Sequence, residues 1–514
     1  MMNSLEKLAS EVPNRIAYRL VPSGYQVTWQ ELELRSRKCA AALISAGLTP
    51  GDTIAVFLEN HPYYFEILNA AHRIGLYYAT ISRHLKKDEV QYIIDDSDAK
   101  ALFCSSQTIE EVDVEQLVAS NMTCITMDGY LDGFFNYDDW INAYSDDITL
   151  QETPEGTDFC YSSGTTGRPK GIKRPLETAN KFFRVGQADR NAWKAFTPDT
   201  VYLSTAPFYH TAPVRWNMAV LRNGGSCVMM EKFDPADALQ AIERYKITHS
   251  QWVPTMFIRM LRLPESERKK YDISSLRYAV HAAAPCPAEI KQAMIDWWGP
   301  ILYEFYSGTE LVGRTSLNSE EWLSHKGSVG YPEFGRVHIV DDQGNELPPY
   351  KTGIIYFSGG GSFQYHKDPE KTRSAYNDRG WATYGDIGYV DNDGYLYLTD
   401  RLSNTIVSGG VNIYPQEAEN RLTLHPAVAD VAVFGVPDEE FGESVKAVVL
   451  LRDPSQAGEY MEKELIAFCR QEISHIKCPR TVDFTTDMPR TETGKLLKRT
   501  IKQRYWPQDI GIAH

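Results

Sequence analysis

Between residues 15 and 104, short apolar runs alternate with stretches in which apolar residues return every three or four positions. The run at 15–26 predicts a strand. The stretch at 27–47 predicts an amphipathic helix, with Thr28 placed to cap it ahead of Glu31-Leu32-Glu33-Leu34. Asp52–Phe57 reads as a strand, 61–76 as a helix and Ala101–Cys104 as another short apolar run. A second series follows: strands at Val201–Thr205 and Val228–Met230, a helix over 235–246, then a strand at Ser250–Val253. This alternation predicts α/β architecture rather than a helical bundle.

The texture changes after about residue 352, where strand candidates Gly353–Phe357, Ile387–Val390 and Tyr395–Thr399 are separated by glycine- and aspartate-rich turns. They predict a smaller sheet or barrel-like region. Ala429–Pro437 and Ser444–Leu451 read as strands, and Tyr460–Glu472 as an amphipathic helix. The expected partition is a large multi-subdomain amino-terminal domain over 1–402 and a small α+β carboxy-terminal domain over 403–514.

Bulk properties narrow the class. At 514 residues the chain exceeds the size at which one core usually stops growing. A composition 43% hydrophobic and 24% charged is that of a soluble globular protein. The net charge of -15 argues against a general nucleic-acid binder. Eight cysteines without a C-x-x-C pair read as free thiols in a reducing compartment. The first residues lack a basic stretch followed by an apolar core, and no apolar run approaches a membrane span. A cytoplasmic location is expected.

The densest chemistry lies in Tyr161-Ser162-Ser163-Gly164-Thr165-Thr166-Gly167-Arg168-Pro169-Lys170-Gly171. Backbone N–H groups and hydroxyls can wrap an anion there while Lys170 supplies a point charge. The spacing is neither G-x-x-x-x-G-K-[ST] nor G-x-G-x-x-G, and alone such a run is more often a linker. Four further segments follow in order: Pro207-Phe208-Tyr209-His210, Tyr306-Ser307-Gly308-Thr309-Glu310, Tyr384-Gly385-Asp386 with Asp400-Arg401, and Thr493-Gly494-Lys495. The ordered set resembles the acyl- and aryl-CoA synthetase branch of the adenylate-forming enzymes, over roughly residues 15–505.

That resemblance implies ATP-dependent activation of a carboxylate, transfer of the acyl group to coenzyme A, a Mg²⁺ requirement and a mobile carboxy-terminal domain. It implies that Thr165, Thr166, Gly167 and Lys170 contact the triphosphate. Ala283-Ala284-Pro285 and Tyr306 flank adenine, Thr309 meets the α-phosphate, and Glu310 holds the metal. Asp386 and Arg401 read the ribose; His210 lines the carboxylate channel. Lys495 approaches the carboxylate and α-phosphate during adenylation. Ser408, Gly409 and Gly410 belong to the loop that meets the pantetheine arm. Ser403 stands where the family commonly has Asp or Lys, leaving the hinge without that charge.

The acid is expected to be hydrophobic: a medium or long aliphatic, aromatic or steroid side-chain acid. Phe208, Tyr209, Trp216, Val253, His281, Ala282, Val312 and Gly313 form the expected acyl pocket, and a homodimer is compatible with this reading. Two alternatives stay open: transfer to a carrier-protein phosphopantetheine, and a noncatalytic nucleotide-binding scaffold.

Overall fold

A computed structural model describes residues 5–112, 122–147, 150, 153–162, 169–176, 196–490 and 496–506. These pack as two compact units. The first comprises Met1–His281, Gln292–Tyr303 and Ser362–Arg373; the second comprises Ala282–Lys291, Glu304–Gly361 and Ser374–His514.

The first unit is built on parallel sheets. One has the spatial order Phe135–Asn136, Thr123–Thr126, Ala99–Cys104, Thr53–Phe57, Tyr77–Thr80 and Thr157–Asp158, and every pairing is parallel. Thr53–Phe57 is buried along its whole length, as a central parallel strand covered on both faces must be. Within this unit the strands of the other run Tyr278–His281, His249–Trp252, Val201–Ser204, Ser226–Met230, Ile16–Val21 and Gln26–Thr28, and of these pairings only the last is antiparallel. A separate hairpin joins Cys160–Ser162 to Lys170–Ile172. Trp29, Leu32, Tyr64, Phe65 and Tyr202 belong to one continuous buried core.

In the second unit, strands Arg336–Val340, Gly353–Ser358, Asp386–Val390 and Leu396–Arg401 form an antiparallel sheet in chain order. The smaller sheet therefore begins earlier than the expected change near 352. His338 explains the omission: a polar residue interrupts the apolar run, yet it is buried, donating or accepting at Ser358 Oγ (2.8 Å) and stacking on Trp381 at 3.7 Å. Val428–Asp438 and Gly442–Leu451 form a long antiparallel pair, with Thr481–Thr485 parallel to the second. Their apolar face meets helices Gln416–Thr423 and Glu459–Arg470 through Leu422, Met461 and Leu465. The expected α/β organisation is observed, and among the described residues no helix is long and apolar enough to cross a membrane.

Helix Trp29–Ser45 starts where the sequence places it. Thr28 accepts from the Glu31 N–H at 3.2 Å, and Glu31 Oε2 accepts from the Thr28 N–H at 2.8 Å, a reciprocal cap. Thr28→Ala should lower unfolding stability by about 1 kcal/mol. Chemical denaturation checks this, with an unchanged urea dependence showing that only stability has moved.

Candidate active site

In the first unit, Pro207–His210 is held by polar side chains far away in sequence. Asn60 Oδ1 accepts from the Phe208 N–H at 2.8 Å, and Asn60 Nδ2 donates to the Met230 carbonyl at 2.7 Å. Thr80 Oγ1 donates to the Tyr209 carbonyl at 2.9 Å. Asn60 and Thr80 are both buried, and neither has a local sequence signal for this role. His210 lies 4.7 Å from the Tyr209 ring and immediately precedes helix Thr211–Arg222.

The expected pocket residues divide. Phe208 is fully buried, edge-on to Tyr64 and Phe65 at 5.3 and 5.1 Å, within the continuous core of this unit. Trp216 stacks on Tyr202 at 6.2 Å and meets Phe196 edge-on at 5.7 Å. Val253 immediately precedes helix Pro254–Leu261, and buried His281 lies 5.4 Å from Phe257 in an aromatic cluster that includes Trp252 and Trp298. Lys170 pairs with Ser162 across the hairpin, its Nζ 4.9 Å from the Tyr365 ring centre. Thr165, Thr166 and Gly167 lie outside the described residues, as does Lys495.

In the second unit the structure brings Tyr306, Asp386 and Arg401 together. Asp386 and Arg401 face each other across adjacent strands, with Nε 3.4 Å from Oδ1. Tyr306 donates its hydroxyl to Asp386 Oδ2 at 2.6 Å. Burial and the neighbouring Asp386 charge raise the Tyr306 phenol well above its ordinary pKa, so it stays a donor at neutral pH. Arg401 keeps 42% of its side chain exposed, whereas Asp386 is largely buried. That asymmetry leaves the cation accessible and the carboxylate oriented.

Tyr384 holds the loop after Tyr306 in a way that the sequence alone does not signal. Its hydroxyl donates to the Gly313 carbonyl at 2.8 Å and accepts from the Gly313 N–H at 3.2 Å, while Ser307 Oγ donates to the same carbonyl at 2.9 Å. The loop carrying Thr309, Glu310 and buried Val312 is thus stapled across its base. A Cβ on Gly308 would lie 2.4 Å from the Tyr384 ring; one on Gly313 would lie 1.9 Å from Phe357. Gly313 therefore has no room for a side chain toward Phe357. Leu311 in this loop and Ala283 in the Ala282-Ala283-Ala284-Pro285 turn hold φ of 54° and 74°. A side chain in that left-handed region costs about 1–2 kcal/mol, a strain that marks both turns as specified by more than local preference.

Glu310 offers a carboxylate on a half-buried turn, a hard oxygen donor of the kind Mg²⁺ takes beside phosphate oxygens. The donor chemistry fits the implied metal. Gly409 and Gly410 turn the hairpin that pairs Ser408 with Val411, and their φ values of 57° and 79° meet the need for positive φ at both central positions. At the expected hinge, Asp400 accepts from the Arg401 N–H at 2.7 Å, Asn404 Nδ2 at 3.0 Å and the Gln416 N–H at 2.9 Å, while Ser403 sits in the short helix Leu402–Asn404.

Two family models match: AMP-binding enzyme over residues 5–365 and AMP-binding enzyme C-terminal domain over 417–495. A feruloyl-CoA synthase of Amycolatopsis sp is 32% identical, with 94% of each chain covered. A fatty acid–[acyl-carrier-protein] ligase of Streptomyces coeruleorubidus is 30% identical over 94% of this chain and 92% of its own. Among solved structures, ATP-bound MatB from Rhodopseudomonas palustris superposes with TM-score 0.82 at 27% identity, covering 99% of this chain and 100% of that one.

Tyr306→Phe removes the hydroxyl from a buried carboxylate while keeping the ring. Stability should fall by about 1–3 kcal/mol, and KM for ATP should rise more than KM for the acid. Denaturation together with substrate-resolved kinetics checks both effects.

Proposed function

The chain belongs to the AMP-binding enzyme family, in its acyl- and aryl-CoA ligase branch, and on that premise we propose a hydrophobic carboxylic acid as substrate and a role for each site residue. The enzyme couples ATP cleavage to ligation of an acid to coenzyme A. The acid carboxylate attacks the α-phosphate to give acyl-AMP and pyrophosphate; the CoA thiolate then attacks the acyl carbon and AMP leaves. Because coenzyme A brings the nucleophile, none of the protein's cysteines has to serve as one.

The observation that carries the assignment is the Tyr306–Asp386–Arg401 cluster. Asp386, oriented by Tyr306, accepts from ribose hydroxyls, and Arg401 adds directed donors. Tyr306, Ala283, Ala284 and Pro285 flank the base. Thr165, Thr166, Gly167 and Lys170 hold the β- and γ-phosphates, and Thr309 the α-phosphate. Glu310 would hold Mg²⁺, which when bound offsets phosphate charge. His210 lines the carboxylate channel, and Lys495 stabilises charge developing on the carboxylate and α-phosphate oxygens. Ser408, Gly409 and Gly410 let backbone approach the pantetheine arm. The domain boundary belongs at 402/403, and the free thiols suit work in the cytoplasm.

The hydrophobic substrate is supported by the aromatic surroundings of Trp216 and His281, and each CH₂ buried would contribute roughly 0.8 kcal/mol. A second reading, transfer to a carrier-protein phosphopantetheine, is favoured by the resemblance to the carrier-protein ligase. A panel of aliphatic, aromatic and steroid acids with Mg²⁺ and ATP, offered either coenzyme A or a phosphopantetheinylated carrier, distinguishes the acceptors. Acyl-CoA and AMP should appear together by mass spectrometry with at least one hydrophobic acid. ADP as the obligate product would sink the mechanism, and acylated carrier without acyl-CoA would select the second reading.

Lys495→Ala should slow acyl-adenylate formation by about 100-fold or more while sparing conversion of supplied acyl-AMP to acyl-CoA. Pyrophosphate release and the isolated second half-reaction measure the two steps. Equal losses in both would remove Lys495 from its selective role.

A further inference from the structure

The Cys160–Ser162/Lys170–Ile172 hairpin pairs Lys170 with Ser162, Gly171 with Tyr161 and Ile172 with Cys160. Carried two positions further along each strand, this antiparallel register sets Arg174 opposite Asp158. The two residues do meet: Arg174 Nη2 donates to Asp158 Oδ1 at 2.9 Å, and both side chains are buried. Helix Thr211–Arg222 completes the junction. Its Arg215 donates from Nη2 to Asp158 Oδ2 at 2.8 Å, with Nε 3.3 and 3.2 Å from the two carboxylate oxygens. Cys160 Sγ donates to Oδ2 at 2.8 Å, and Tyr77 donates its hydroxyl to the Arg174 carbonyl at 2.7 Å.

One carboxylate therefore joins the strand entering the hairpin, the segment leaving it, and the helix that begins just after His210. Burial alone would raise the Asp158 carboxyl, but Arg215 and then Arg174 outweigh it and hold the group well below its ordinary pKa. The carboxylate is therefore ionised at neutral pH. Apolar side chains of similar volume commonly replace buried ion pairs without loss of stability. What a bidentate guanidinium–carboxylate contact adds is direction, which fixes how the joined segments sit against one another.

We propose that Asp158, Arg174 and Arg215 are positioning residues for the adenylation half-reaction, setting the neck of the 161–171 segment against the helix behind His210 so that Lys170 meets the triphosphate and His210 the acid carboxylate in one arrangement. This rests on the assignment of that segment to the triphosphate. Arg174 and Arg215 both meet Asp158, and the three act through Lys170 and His210.

Arg174→Gln removes the charge while keeping a hydrogen-bond donor. Its KM for MgATP should rise about ten-fold. KM for the acid should rise with it, through His210, while KM for coenzyme A and the rate of acyl-CoA formation from supplied acyl-AMP should stay within about two-fold of wild type. Arg174→Lys should restore most of the ATP affinity. A uniform loss across all three KM values and both half-reactions, following a lower Tm, would show a merely structural role and overturn the proposal. Unchanged ATP kinetics in folded Arg174→Gln would overturn it too. Lys170→Ala, measured in parallel, separates the two levels. If it weakens ATP use and folded Arg174→Gln does not, positioning alone fails. If neither variant affects ATP use, the assignment of the 161–171 segment fails and takes the proposal with it. Should Arg174→Gln not fold, Asp158→Glu is judged by the same split.

Discussion

A carboxylate removed from water must be met by cations, and Asp158 is met by two. Removing one partner of a buried ion pair costs about 3–5 kcal/mol, because the charge left behind has nowhere to go. The partners lie 16 and 57 residues further along the chain, so one carboxylate ties together a hairpin and a helix that are distant in sequence. Asn60 imposes the same kind of condition nearby, tying the Phe208 amide to the Met230 carbonyl across separations of 148 and 170 residues. The parallel sheets give this unit its core, but these few polar side chains give the Pro207–His210 segment and the hairpin their local geometry. Apolar packing is permissive about register; directional contacts are not.

The second unit achieves comparable definition by other means. There the backbone itself is gripped: Tyr384 engages both the N–H and the carbonyl of Gly313, and Ser307 shares that carbonyl. Such contacts demand close approach, which is why Gly308 and Gly313 carry no side chain. The left-handed Leu311 sits between these glycines. Its strain is sustained because the staple on one side and the buried Val312 on the other leave the loop no relaxed alternative. Asp386 then joins the two styles, held by the Tyr306 hydroxyl from one segment and by Arg401 from the neighbouring strand.

Much of this was readable from residues alone, for definite reasons. Helix Trp29–Ser45 and helix Pro235–Tyr245 carry periodic apolar faces and side-chain caps at Thr28 and Asp234, so local rules suffice. Tyr278–His281 and Leu302–Tyr306 escaped because buried polar residues break their apolar runs. Glu304, buried 2.7 Å from Lys291 Nζ, looks like a surface residue until its partner is known. The same gap explains the site. The ordered motifs located Tyr306, Asp386 and Arg401, but nearness to a motif does not reveal which way a side chain turns, and Phe208 turned into the core. Asp158 and Arg174 did leave a trace, since they flank the hairpin symmetrically with opposite charge. Reading it requires knowing that a hairpin is there.

The two styles of support predict different sensitivities to change. Around Asp158 the essential property is charge at fixed shape, so an isosteric neutral residue there does more harm than its small volume change would suggest. Around Gly308 and Gly313 the essential property is empty space, so adding one carbon is the damaging change while the charge of neighbouring residues matters little. Specificity for the acid need involve neither. Trp216 and His281 sit in aromatic surroundings that can exchange one apolar shape for another at modest cost. Such surroundings can be repacked side chain by side chain, while the polar junctions around Asp158 and Asn60 stay as they are.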